Sequence, residues 1–156
     1  MNRRVKRSVR SAVVLLMAVW LTCMSTTAAQ AEVVRQFRDL QVKSWFGWYN
    51  ATSDSGEVRF KTDSYVVSAR IYLSCSGGTY YAFLRHRSRE YFGGGSATRD
   101  TNEVTCSNGS AAQDWVAGSN SFSPTHGLSA VVQLCVSYNL GTWCSDEVEV
   151  FETPRQ

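Results

Sequence analysis

Past residue 31 the sequence has almost no helical patterning. No window of eleven or more residues keeps apolar positions at i, i+3, i+4 and i+7 between caps, apart from a short turn-like stretch in AEVVRQFRDL (31–40). Helical bundles and layered α/β folds are thereby set aside. Imidazole is scarce too, with only His86 and His126. There is no G-x-S-x-G, no H-E-x-x-H and no C-x-x-C, so the sequence signatures of a serine-hydrolase elbow, a zincin helix and a zinc ribbon are all missing. GGGS at 93–96 lacks the lysine and the following helix that a phosphate loop needs, and reads as a connector. Internal repeats, linkers and a second domain are absent as well.

The first 31 residues are of another kind. MNRRVKRSVRS carries five basic residues and no acid, the apolar run AVVLLMAVWLTCM follows, and Ala29 and Ala31 supply the A-x-A spacing of a signal-peptidase site. This is the pattern of a secretory signal peptide over 1–31, with an apolar run too short for the ~20 residues of a membrane span. The expected product is a single secreted domain, 32–156, with no membrane association after cleavage. Removing the leader takes five of the 16 Lys and Arg and none of the 13 Asp and Glu, so the remaining chain has net charge −2. A general nucleic-acid partner loses its main support, because phosphate binding needs a basic footprint.

Four cysteines remain in that domain: Cys75, Cys106, Cys135 and Cys144. An even number in an exported chain reads as two disulfides rather than a metal site. Three pairings are possible, and the sequential one, Cys75–Cys106 with Cys135–Cys144, is preferred. With a two-residue loop at Asn139-Leu140, Cys135 falls opposite Cys144; a three-residue loop closed by Gly141 would break that register.

Strand signals fill the rest. SWFGWYN, EVRFKT, YVVSARIYLSC, TYYAFLRHRS, NEVTC, LSAVVQLCVSY and TWCSDEVEVFE are rich in Val, Tyr, Trp, Phe and Thr and are separated by Gly/Ser/Asn/Asp clusters. The fold class expected is all-β: an antiparallel β-sandwich, Ig-like or jelly-roll-like, of about seven strands. The segment 93–128 reads as mainly loop. In VVSARIYLSC the odd positions Val67, Ala69, Ile71, Leu73 and Cys75 are apolar, which turns them inward. Gly77-Gly78 suits a tight hairpin. That register sends Tyr80, Ala82, Leu84 and His86 inward as well, and places Arg70 opposite Arg85.

The outer face of such a hairpin would carry Arg70, Tyr72, Tyr81, Phe83, Arg85 and Arg87. Arginines among aromatics suit a saccharide or an acidic polymer. The plainer reading is that Asp146, Glu147 and Glu149 neutralise those arginines from a neighbouring strand. Trp45, Phe46, Trp48 and Tyr49 are expected mainly in the core, with alternation leaving at most one pair outside. The favoured function is a secreted, non-catalytic binding module without a cofactor or metal. A second is a module that binds a secreted or cell-surface protein, such as an enzyme inhibitor presenting the NLGT loop. A third is a small nuclease-like hydrolase using His86 or His126 with Glu90.

Overall fold

The computed structural model describes residues 32–90, 95–121, 128–139 and 141–153. The leader segment and His126 lie outside them. Among the described residues ten strands are formed: β1 (Val33–Lys43), β2 (Tyr49–Phe60), β3 (Ser64–Cys75), β4 (Thr79–Glu90), β5 (Arg99–Asp100), β6 (Val104–Ser107), β7 (Ala111–Ser121), β8 (Leu128–Tyr138), β9 (Gly141–Cys144) and β10 (Val148–Phe151). One antiparallel sheet runs β1-β2-β3-β7. The other runs β10-β8-β4-β5, with β6 also paired to β4 and β9 to β8. Their apolar faces meet in a single core that draws on Val58, Phe60, Tyr65, Val67 and Ile71 from the first sheet and Leu84, Val132, Leu134 and Val136 from the second. The described residues form the all-β, antiparallel, two-disulfide sandwich expected, built from more strands than the seven anticipated.

Alternation fixed the orientation of the central strands. Val67, Ala69, Ile71, Leu73 and Cys75 are buried, and so are Tyr80, Ala82, Leu84 and His86. The pairing is different. β3 bonds to β2 and β7, while β4 bonds to β8, β5 and β6, so the glycine turn does not close a hairpin. Gly77 (φ 72°) and Gly78 (φ 83°) instead carry the chain from one sheet to the facing one. A hairpin and an inter-sheet arch both use consecutive left-handed glycines, and both let two apolar faces turn inward. Only the partners of each strand, which are distant in sequence, distinguish them. The Cys75–Cys106 disulfide then ties β3 to β6 across the two sheets.

Three other segments depart from the sequence reading. The turn-like AEVVRQFRDL lies mostly in β1. Its Phe37 and Leu40 are both buried because Asp39, at φ 60°, interrupts the pleat and shifts the inward phase by one residue. That shift imitates helical spacing. β7 lies inside the stretch read as loop, since its Gly, Ser, Asn and Ala residues resemble a connector; yet it pairs with β3 from Ser64↔Ser121 to Ser74↔Ala111. SWFGWYN is mostly a turn, and the strand begins only at Tyr49.

Candidate functional site

The six residues proposed as one face are divided between the two sheets. Arg70 and Tyr72 lie on the outer side of β3, where Arg70 is opposite Trp115, and Tyr72 is flanked by Thr52 and Gln113. A shallow depression of about 310 Å³, lined in part by Asn50, Thr52, Tyr72, Ser74 and Gln113, marks that surface. Tyr81, Phe83, Arg85 and Arg87 lie on the outer side of β4, in the other sheet. Arg70 therefore does not face Arg85, and no single surface contains all six. Phe83 is 3% exposed, beneath the Arg85 guanidinium (5.5 Å from the ring centroid) and beside Cys135, its cross-strand neighbour.

The β4 arginines are already occupied. Arg85 is bidentate to Asp100 at 2.9 and 3.0 Å. Arg87 meets Glu147 at 2.9 Å, and Arg89 reaches Glu147 at 3.6 Å and Glu149 at 3.1 Å. This ladder of exposed ion pairs, each contributing at most about 1 kcal/mol, neutralises the cations that an acidic polymer would need.

His86 and Glu90 are not brought together. His86 is 1% exposed, with Nδ1 3.2 Å from the Tyr65 hydroxyl, and Nε2 has no hydrogen-bond partner among the described residues. Burial lowers its pKa to about 4, against a smaller opposing effect from Asp100, so the ring is neutral at pH 7. Glu90 is on the same strand and four residues further on, about 13 Å away by strand rise rather than across a cleft. Among the described residues no three His, Cys, Asp or Glu side chains converge on a metal-sized site.

The most open aromatic surface lies elsewhere, at the end of the sandwich where β1 turns into β2. The Ser44 N–H donates to the Tyr49 carbonyl at 3.0 Å, the Gly47 N–H donates to the Ser44 carbonyl at 3.1 Å, and the Phe46 N–H donates to the Ser44 hydroxyl at 3.3 Å. Gly47, at φ 72°, supplies the left-handed residue that closes this turn. The result is a hydrogen-bonded loop that holds Trp45 at 101% exposure and Phe46 at 78%. Phe46 stacks on Trp48, with centroids 5.2 Å apart.

Trp45 and Phe46, with Trp48, Tyr49, Tyr80, Tyr138 and Trp143, line a cleft of about 680 Å³ that has Gln41, Lys43, Ser145 and Asp146 as polar lining. Tyr80 stacks on Tyr138 at 4.5 Å, and Tyr49 bridges Tyr80 (5.3 Å) and Trp143 (6.0 Å). Burial raises the pKa values of Tyr49 and Tyr80, each reinforced by a neighbouring phenol, so both keep their hydroxyl protons at neutral pH. Trp143 is fixed from two sides. Its neighbour Cys144 is bridged to Cys135 at a Cα separation of 4.0 Å, and its ring lies so close over Gly141 that a Cβ there would meet it at 2.9 Å. Flat ring faces can stack on the C–H faces of sugars, while phenols, an amide and a carboxylate hydrogen-bond the hydroxyls.

The sequence held a clue to this site. Ser44 and Gly47 bracket Trp45 and Phe46 with a hydroxyl cap and a left-handed residue, the chemistry of a tight turn rather than a strand. No protein-family model, curated protein or solved structure matches the chain. What the fold and the end cleft define is therefore a class only: an all-β sandwich with two disulfides and an aromatic cleft at one end.

Proposed function

We propose that residues 32–156 act as a secreted, non-catalytic binding module whose end cleft takes a saccharide chain. One observation carries this: a concave site lined by seven aromatic rings and bordered by hydrogen-bonding groups, held by a backbone-bonded turn on one side and a disulfide hairpin on the other. A ligand meeting such a site loses little free energy to ordering the protein. The paired arginines on β4 favour a neutral sugar over an acidic polymer. The two disulfides accord with an oxidising, extracellular setting.

The test is titration of the purified protein with oligosaccharides of β-1,4-linked glucose, N-acetylglucosamine and xylose. Trp48→Ala and Trp143→Ala should each weaken binding of a bound sugar by about tenfold, or ~1.4 kcal/mol. Unchanged affinity in both variants would remove the cleft from the reading.

One observation favours a second reading, an inhibitor-type contact with a secreted protein. The bridged β8–β9 hairpin presents Trp143 half-exposed on a rigid support. A panel of secreted proteases assayed with the parent and a hairpin-replaced variant separates the two.

A further inference from the structure

Trp45 and Phe46 also line the end cleft, and Trp45 is the most exposed ring among the described residues. Trp45 stands clear of the turn, with Phe46 beside it. A fully exposed indole on a hydrogen-bonded turn adds nothing to the core, and its setting points to one kind of partner.

The two ends of the sandwich differ in charge. Four turns meet at the Trp45 end: 44–48, 76–78, 108–110 and the β8–β9 turn at Asn139. Among their described residues there is no Asp, Glu, Lys or Arg. The charged residues flanking these turns are Lys43, Asp114 and Asp146. The opposite end carries Glu32, Lys61, Asp63, Glu90 and Glu152. Seating the tips of these turns in a medium of low polarity strips water from rings, hydroxyls and amides; the nearest ions are Lys43 and Asp146, which line the cleft with Trp45 and Phe46 and would carry the main penalty if buried. Indole and phenyl rings on a protruding, uncharged surface match the region between lipid headgroups and acyl chains, where Trp is enriched for its apolar body and N–H donor.

We infer that Trp45 and Phe46 seat this end of the molecule in the interface of a lipid bilayer, as a peripheral contact on neutral, zwitterionic lipid. Among the described residues no helix is long and apolar enough to cross a membrane, and the contact needs none. The sequence reading expected no membrane association once the leader was removed. Since no cation at the tip drives the attraction, the binding is insensitive to salt. The inference does not depend on the saccharide reading.

Flotation of the purified protein with vesicles of pure phosphatidylcholine, which carry no sugar, tests it at low and high salt. The protein floats equally at both, its tryptophan emission shifts to the blue, and Trp45→Ser and Phe46→Ser each reduce the bound fraction by about tenfold. Trp45 makes no packed contact, so Trp45→Ser folds, as an unchanged circular dichroism spectrum verifies. Absence of flotation, flotation only on anionic vesicles with loss at high salt, or a Trp45→Ser variant that floats like the parent each overturns the inference. So does sedimentation showing that the rings pair two copies of the chain in a dimer that Trp45→Ser dissociates.

Discussion

His86 shows how much one buried side chain can do. Its ring lies between the sheets against Tyr65 at 77°, and a Cβ on Gly118 would come within 2.8 Å of Nε2. Folding therefore holds an imidazole neutral with one nitrogen unpaired. The unfolded chain takes up a proton near pH 6.5 and the folded one only near pH 4. Below about 6.5 the unfolded state binds the extra proton, so stability falls as pH drops through that window. The loss approaches roughly 3 kcal/mol below pH 4. Urea midpoints measured from pH 7 to 4 should decline in the parent and flatten in His86→Gln. An equal slope in both would place the acid sensitivity elsewhere. Tyr65 behaves in the opposite sense, its pKa pushed up to about 12 by burial.

Gly56 makes a second residue-scale prediction. The Phe37 ring lies over it, and a Cβ would fall 2.1 Å from the ring's far carbon. Gly56→Ala must displace a core ring that is 3% exposed, and should lower the unfolding free energy by about 1–3 kcal/mol in urea titration.

Among the elements, the disulfides do different work. Cys75–Cys106 spans 31 residues and joins the sheets; Cys135–Cys144 spans nine and stiffens one hairpin. In the chain-entropy picture the first contributes roughly 4 kcal/mol and the second roughly 3. Replacing both cysteines of the first pair by serine should lower stability more than replacing the second pair. Only the second replacement loosens Trp143 and so weakens the cleft. Thermal unfolding and ligand titration on the two double variants check both halves.

The same elements mark what local sequence can reveal. The inward faces of β3 and β4, the sequential cysteine pairing and the sandwich class followed from alternation and spacing, which are local properties. The Gly77-Gly78 arch was misread because a hairpin and an arch share the same residues and the same inward faces. Their difference lies in hydrogen bonds to β7 and β8, tens of residues away. β1 was misread because the left-handed Asp39 gave a strand the apolar spacing of a helix. Trp45 and Phe46 were expected mainly in the core because large rings are ordinarily core residues. Phe83, proposed as exposed, is covered by the Arg85 side chain above it, a non-covalent contact that strand alternation does not encode.

At the scale of the whole molecule, the sandwich is polarised. An end whose described turn residues carry rings but no charge, with Lys43 and Asp146 beside them in the cleft, faces away from one rich in charge, and the outer face of β4 is closed off by its ion pairs. Binding through that end should be nearly independent of ionic strength, whereas the old sheet-face site would have made it weaken as salt rises. Ligand affinity measured across a salt series distinguishes the two, and steep weakening would favour the arginines.

The central claim is that ligand contact occurs at the aromatic end. Four tryptophans in 32–156 allow a direct test, because Trp45, Trp48 and Trp143 lie at that end and Trp115 on the outer face of the first sheet. Their indole N–H signals can be followed by ¹⁵N-resolved NMR during titration with the same β-1,4-linked oligosaccharides. Saturable shifts at Trp48 and Trp143, with Trp115 unmoved, are the predicted result. Movement of Trp115 alone, or no movement with any of the sugars, would contradict it.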